Sequence, residues 1–414
     1  MHNKNRTFDP EHSSSGFSNE KFHSKGSGTK NASISAVSSE ISHKIFGLNP
    51  SCAVDEFFAL LADEGISTFV FYCPKGKDTF SYKVDDSKIQ KLLLPKISRG
   101  KFGNEEIVNV VDLLFYLVVS TLALPYLLTF KKIIFKGPPF FNTLLQRVFW
   151  LFGKKTYLII IDDQEKDMKV YGDTFLKHIY YQWSLRREVC AVRLATKVFV
   201  TSEYCYNKLR KYNKHIYHVP NGADVSSIQT VQAKKLQGTV LLYAGGFEPW
   251  RGLDLLIDAF KRLKKEHKDL KLYLIGGGPH YAQVHAYAAA DNDIIFTGYL
   301  GHDDVIAHYK GADVLVMPSR NCVSSQTISS IKCFEYIASG VPCVVTDSGE
   351  HATWVKRCKA GLVVQDSVEG LYHGIGRLLT EKKLYAECKK NARKHAPEVD
   401  YKVLKQPFVE ELKI

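Results

Sequence analysis

Between residues 239 and 364, short runs of aliphatic and β-branched residues recur, each separated from the next by enough chain for one helix. The runs are 239–244, 271–275, 293–297, 313–317, 342–346 and 361–364, with amphipathic stretches between them. Strand and helix alternating at this interval predict a parallel sheet with right-handed crossovers and helices on both faces. Ligands on such sheets bind beyond the carboxyl ends of the strands. The loops that leave each run are therefore where chemistry is expected.

The earlier part of the chain has the same texture, less cleanly. Residues 53–63 carry apolar side chains at helical spacing and stop at Glu64-Gly65, while 68–72, 157–161 and 197–201 read as buried strands. The first strand of this half is not evident. Residues 1–41 hold ten serines with mixed charges and scattered apolar positions. Such a segment cannot bury enough surface to offset its ordering entropy and is expected to be a disordered tail. The expected organisation is a first domain over 42–225, a linker over 226–238, a second domain over 239–395, and a segment 396–414 packing back towards the first. Residues 110–128 are nearly all apolar, broken by Asp112 and Pro125 and followed by Lys131-Lys132. That length just reaches a membrane span, but the aspartate and the proline argue against one. An interfacial helix and a core helix remain as readings.

A chain of 414 residues with 45% hydrophobic and 24% charged residues is neither collagen-like, nor a disulfide scaffold, nor wholly disordered. Fifty-six Lys and Arg against 43 Asp and Glu leave a net charge of +13. That excess favours a phosphate-bearing ligand, an anionic membrane surface or nucleic acid, without choosing among them. Nucleic acid is not expected as a partner, because no basic–aromatic motif stands behind the charge. Nine scattered cysteines form no Cys-x-x-Cys pair, and most sit in apolar runs such as 341–345. They read as reduced, buried thiols rather than zinc ligands or a disulfide framework. With no signal peptide opening the sequence, a cytoplasmic location is expected.

Three loops stand out. Tyr243 to Gly252 (Tyr-Ala-Gly-Gly-Phe-Glu-Pro-Trp-Arg-Gly) leads from a strand into a helix near Leu253. Gly245 and Gly246 let backbone approach a ligand, and Arg251 stands where helix amides attract anions. A plain strand-to-helix turn with a solvated arginine is the other reading. Ile275 to Pro279 places Gly277 in a glycine triplet at a second strand end, short of a dinucleotide fingerprint. In the third, Ser330 is a good N-cap, 331–338 reads helical and Gly340 ends the helix. Lys332 falls in the first turn, where the helix dipole disfavours a cation by up to about 1 kcal/mol, and a bound anion would reverse that. Glu335 lies one turn on, about 4.5 Å along the axis and on the same face. One helix end thus offers amides, a cation and a carboxylate. That set suits a nucleoside diphosphate whose sugar hydroxyls bond the carboxylate. An internal Lys–Glu pair on a solvated helix is the alternative.

Taken in order, these motifs resemble the retaining, GT-B-fold glycosyltransferases of family 4. Val219-Pro-Asn-Gly-Ala-Asp224 resembles the interdomain signature of that family, and Tyr243 to Ala259 resembles the opening of its donor domain. Leu274 to Pro279, Phe296 to Tyr299, Ala312 to Ser319 and Ser330 to Val345 follow in family order. The resemblance covers roughly 190–395 closely and 45–190 more loosely. It implies an α/β chain of GT-B architecture, two Rossmann-like domains facing across a cleft. It further implies that Glu335 binds the ribose of a nucleotide-sugar and Arg251 the diphosphate, with Gly245, Gly246, Gly277, Ser329, Ser330 and Lys332 around them and Tyr299 at the base. The Ile328 to Ser330 amides would approach the distal phosphate. Catalysis would rest on electrostatic stabilisation of the leaving diphosphate, with no metal and no cofactor beyond the nucleotide-diphospho-sugar co-substrate. Asp162, Asp163, Arg251 and Thr327 are the implied catalytic positions.

Three departures accompany the resemblance. Thr327 stands where the family often has a second glutamate, Phe247 where it often has a basic residue, and Asp162-Asp163 where it often has His-Asp. Asp291-Asn-Asp293 spells a metal-binding pattern of other glycosyltransferases, but it precedes a strand and reads as a turn. The implied partners are a nucleotide-sugar donor and a glycan or lipid-linked acceptor. Lys136 to Phe140 and the apolar helix before it suggest peripheral contact with the inner face of a membrane through 107–150. A nucleotide-sugar epimerase of the same architecture and a non-catalytic binding partner are the competing readings.

Overall fold

The computed structural model describes residues 175–288 and 291–413 continuously, and before them 124–125, 128–130, 132–136, 140–161 and five short strand segments. Two parallel sheets carry the fold. The first comprises β1 (Ile45–Asn49), β2 (Thr68–Tyr72), β3 (Ile89–Leu93), β4 (Lys132–Lys136), β5 (Lys155–Ile160), β6 (Lys197–Val200) and β7 (Ile216–His218). Its order is β3-β2-β1-β4-β5-β6-β7, every pairing parallel. A separate two-residue antiparallel pair joins Lys101–Phe102 to Glu105–Glu106. The first strand of this half, not evident in the sequence, is Ile-Phe-Gly-Leu-Asn, whose glycine and asparagine break the apolar run. Helix Phe140–Leu151 packs beside helix Phe175–Leu194, where the buried Gln146 amide donates to the Ala191 carbonyl at 2.9 Å. Phe135, Phe149, Leu158 and Val200 fill the core beneath them. The predicted helix 53–63 and nearly all of 110–128 lie outside the described residues.

The second sheet comprises β8 (Thr239–Gly246), β9 (Leu270–Gly277), β10 (Ile294–Gly298), β11 (Val314–Met317), β12 (Cys343–Thr346) and β13 (Gly361–Val364). All six predicted runs are strands, shifted by one to two residues at some ends. The order β10-β9-β8-β11-β12-β13 reverses direction between β8 and β11. Along β8, Leu241 and Tyr243 enter one core while Leu242 and Ala244 enter the other. Strands buried on both faces read as continuous apolar runs, which is why this half was legible.

The polar stretch after Asn221 opens with a helix, Val225–Thr230, whose first turn is capped when Asp224 accepts from the Ser227 amide. Ala223 pairs with Asp400, and a Cβ on Gly222 would lie 2.4 Å from the Tyr401 Cα, so the backbones touch there. The chain end then lies against the first sheet. Phe408 sits edge-on to Phe199 at 4.8 Å, Lys197 bonds the Glu411 carboxylate, and Lys132 donates to the Leu412 carbonyl. These lysines meet the carboxyl end of helix Gln406–Lys413, where the helix dipole favours cations. Among the described residues no helix is long and apolar enough to cross a membrane. The seven described cysteines are free thiols, five of them buried.

Candidate functional site

In a doubly wound sheet the crevice opens where strand order reverses, so the loops after β8 and β11 are the ones to examine. They hold each other directly. The Arg320 amide donates to the Trp250 carbonyl at 2.8 Å, and a Cβ on Gly252 would fall 2.0 Å from the Pro318 carbonyl oxygen. Gly252 also takes the left-handed conformation, φ 62°, between the short 3-10 turn Pro249–Arg251 and helix Leu253–Glu266. A residue without Cβ is required on both counts.

Lys332, in the first turn of helix Ile331–Ser339, crosses to this loop. A Cβ on Gly245 would lie 2.3 Å from the Lys332 Nζ and 2.9 Å from the Tyr243 hydroxyl, so the ammonium occupies the space that Gly245 leaves open. Burial and the nearby Arg251 guanidinium pull the lysine down to about 7, against Glu335 and Glu248, which favour its charge. Burial also pushes the Tyr243 phenol up to about 12. Its hydroxyl donates to the Gly246 carbonyl at 2.7 Å. The Arg251 guanidinium stacks 3.8 Å over the Trp250 ring, and its buried Nε has no hydrogen-bond partner among the described residues.

Glu335 does not pair with Lys332. Helix His302–Gly311 presents two side chains to it from positions seven apart, which share a helix face. His302 Nε2 lies 2.8 Å from Glu335 Oε1, and the Tyr309 hydroxyl donates to Oε2 at 3.4 Å. The bond to Glu335, working against burial, holds the His302 imidazole above its ordinary range. Neither residue was singled out from the sequence. The helical spacing of 302 and 309 was the available signal.

Ser330 is the N-cap of helix Ile331–Ser339 as expected, but its side chain makes no capping bond, and Gly340 ends the helix at φ 74°. Ser329 faces the 219–224 motif, where its Oγ accepts from the Asn221 amide at 3.1 Å and its carbonyl accepts from the Asn221 side chain at 2.7 Å. That motif thus fastens the approach to the helix. A second tie is His218 at the end of β7, 3.1 Å from the Glu350 carboxylate. Burial opposes the imidazolium, yet the Glu350 contact holds His218 above its usual value.

The remaining candidates fall as follows. Tyr299 is 80% exposed, and its ring lies against Gly277, where a Cβ would come within 3.0 Å. Thr327 is wholly buried, its hydroxyl donating to the Ser324 carbonyl at the end of the short helix Val323–Gln326. Phe247 is buried among Tyr243, Tyr281 and Phe296 and serves packing. Asp162 and Asp163 follow β5 in sequence and lie outside the described residues. Asp291 to Asp293 form a turn in which Asp293 pairs with Lys264 and Lys271. Sequence reasoning also missed His351, which burial and Arg251 push down to about 3. Its Nε2 has no partner among the described residues.

Residues 224–395 match the family model described as glycosyl transferases group 1. A putative glycosyltransferase, YtcC, of Bacillus subtilis is 29% identical over 167 residues, which is 38% of this chain and 40% of that protein. A GDP-mannose-dependent alpha-(1-6)-phosphatidylinositol monomannoside mannosyltransferase of Mycobacterium tuberculosis is 30% identical over 141 residues, 32% and 36% of the two chains. The chain thus spans less than half the length of these relatives. Sucrose-phosphate synthase from Thermosynechococcus elongatus superposes with a TM-score of 0.68 over 90% of this chain and 99% of its own, at 16% identity. The fold is accordingly the GT-B type that the motif order implied.

Proposed function

We propose that this chain, a GT-B protein whose residues 224–395 form a glycosyl transferases group 1 domain, moves a sugar from a nucleotide-diphospho-sugar to an acceptor with retention of configuration. The observation that carries the reading is Lys332 laid across Gly245 at the strand-order reversal, with Arg251 and Glu335 around it. A desolvated cation that makes no direct ion pair among the described residues is poised for a charge that arrives with the ligand. In this reading the diphosphate lies between Lys332, Arg251 and the uncapped amides at Ser330, and the ribose hydroxyls take Glu335 Oε1 from His302. Tyr299 offers its exposed ring to the base. As the glycosidic bond breaks, negative charge grows on the leaving diphosphate. The same cations, already oriented, stabilise it there. The acceptor hydroxyl attacks from the face the diphosphate leaves and gives its proton to an oxygen of the departing diphosphate. No residue is assigned as a nucleophile or metal ligand. Asp162 or Asp163, next to β5 in sequence, would face the sugar or the acceptor. The acceptor is proposed to be a glycan or lipid-linked glycan at a membrane face.

Thermal unfolding against a panel of UDP-, GDP-, ADP- and dTDP-sugars tests this, with Glu335→Ala alongside. A ligand at about 100 times its dissociation constant stabilises by about 2.7 kcal/mol, so one nucleotide should raise Tm and the variant should lose the rise. No shift with any donor would overturn the reading. Binding without transfer to any acceptor would favour a non-catalytic partner, and conversion without an acceptor would favour an epimerase.

A further inference from the structure

The segments ahead of β5, β6 and β7 read Trp150-Leu-Phe-Gly-Lys-Lys155, Arg193-Leu-Ala-Thr-Lys197 and Arg210-Lys-Tyr-Asn-Lys-His215. Together they contain seven Lys or Arg and no Asp or Glu. Because the three strands are parallel neighbours, these segments lie consecutively along one edge of the first sheet. Hydrogen bonds stitch them together. The Thr196 amide donates to the Thr156 carbonyl at 2.7 Å, and the Asn213 side chain donates to the Val192 and Ala195 carbonyls at 2.7 and 2.8 Å. Arg193 and Lys211 both lie over the Tyr212 ring, at 5.3 and 5.1 Å. Lys197 is occupied by Glu411. Lys155, Arg193, Arg210, Lys211 and Lys214 are exposed.

Helix Phe140–Leu151 runs out at this edge. Its inward side ends with Phe149, wholly buried, and the next three residues face water: Trp150 is 59% exposed, Leu151 73% and Phe152 59%. Gly153, at φ 65°, turns the chain towards Lys154. Large apolar side chains side by side in solvent mark an interaction surface. Aromatic and aliphatic residues at one tip, flanked by five exposed cations with Glu411 already held by Lys197, match the boundary between lipid headgroups and acyl chains. Nucleic acid could stack on Trp150 and Phe152 but would leave Leu151, the most exposed of the three, in water, whereas a bilayer buries all three. A second copy would set one basic edge against another.

We infer that this edge of the first sheet docks on an anionic lipid bilayer. Trp150, Leu151 and Phe152 enter the headgroup boundary, and Lys155, Arg193, Arg210, Lys211 and Lys214 meet lipid phosphates. The inference deepens the membrane-face part of the proposed function. Docking uses the amino ends of the strands, while ligands of parallel sheets bind at the carboxyl ends, about 20 Å away for a six-residue strand, so the acceptor that fits this pose is the outer end of a glycan long enough to reach beyond the membrane face.

Flotation of the full chain with vesicles of phosphatidylcholine, alone or mixed with phosphatidylglycerol, tests it. Wild type should float with the mixed vesicles about tenfold more than with the neutral ones, and salt should release it. The combined Trp150→Ser, Leu151→Ser and Phe152→Ser variant should stay in solution, as should Lys155→Glu with Arg193→Glu and Lys211→Glu. Both variants should keep the Tm rise with nucleotide-sugar measured without vesicles. Equal flotation on both vesicle types, none on either, or unimpaired variants would overturn the docking surface. So would an RNA oligonucleotide bound equally by the apolar variant and wild type, or a dimer that the apolar variant dissolves. If vesicle binding holds while no nucleotide-sugar raises Tm, the transferase reading falls and the docking surface stands.

Discussion

The cations beside β8 and those ahead of β5, β6 and β7 are the same residue types in opposite surroundings. Lys332 is desolvated to about 7, with an arginine as its nearest cause after burial. Lys155, Arg193, Arg210, Lys211 and Lys214 stand in water. Charge held out of water costs free energy until a specific anion reaches it, so it selects one ligand in one pose. Charge on a solvated edge costs little and draws any anionic surface, weakening as salt screens it. A net +13 adds the two together and cannot tell them apart.

The sharpest way to break this contrast is Lys332→Met. Removing a preorganised cation from a leaving group costs about 10² to 10³ in turnover, roughly 2.7–4 kcal/mol. The unliganded protein should nonetheless keep or gain stability, because a desolvated ammonium has been replaced by an apolar chain of similar length. Initial-rate kinetics and a melting curve of the same preparation suffice. Turnover near wild type would put Lys332 outside the chemistry, and a steep fall in Tm would make it a structural residue.

Next in size is a pair of opposing pH trends. The Lys332 ammonium has a folded value near 7 against an ordinary 10.5. Above 7 the unfolded chain binds more protons than the folded one, so unliganded stability should rise with pH up to about 10.5. Donor affinity should move the other way, falling towards tenfold per pH unit once Lys332 loses its proton, equivalent to about 1.4 kcal/mol. Calorimetric titrations at several pH values would show it. A Lys332→Met protein with the same slope would assign it to another group.

How much of this was legible beforehand differs between the halves for physical reasons. The central strands of the second sheet, β11 and β12, are wholly buried and stand out as unbroken apolar runs, and even the half-buried edge strand β13 falls on 361–364 as predicted. The first sheet includes Ile45–Asn49 and the edge strand Ile216–His218, whose polar residues conceal the pattern. At the site, Lys332 and Glu335 were visible because helix geometry fixes their spacing. Their true partners were not. Gly245, His302, Tyr309 and Arg251 come from other elements, and only the crossovers decide which side chains converge. An internal Lys332–Glu335 pair was the alternative to a ligand site, and the fold instead sets Lys332 over Gly245 and Glu335 against His302 and Tyr309.

Gly245→Ala probes that convergence with a smaller effect. The new methyl would lie 2.3 Å from the Lys332 Nζ and displace the end of that chain, and at φ 154° it would also strain the backbone. Donor affinity should weaken by several-fold, up to about 1.4 kcal/mol for a tenfold loss. Gly246→Ala, whose methyl would come no closer than 3.7 Å to Glu248, should change it less. If the two variants behave alike, the space over Gly245 is not reserved for the lysine.

The smallest expected effect concerns the group that covers Glu335. His302 is about half exposed, and its contact with Glu335 raises its proton affinity above the ordinary 6.5. A raised folded value contributes stability that is full below 6.5 and is lost as pH climbs through the higher value. His302→Ala should therefore lower unliganded Tm on the acid side and leave it unchanged on the alkaline side, by no more than the roughly 0.2–1 kcal/mol of an exposed pair. Its effect on the donor should have the opposite sign. With the imidazolium gone, ribose hydroxyls no longer compete for Oε1, so affinity at pH 6 should improve modestly while affinity at pH 8 stays the same. A variant that binds donor worse at both pH values would make His302 a ligand contact, and Glu335 would then be shared with the ribose instead of surrendered to it.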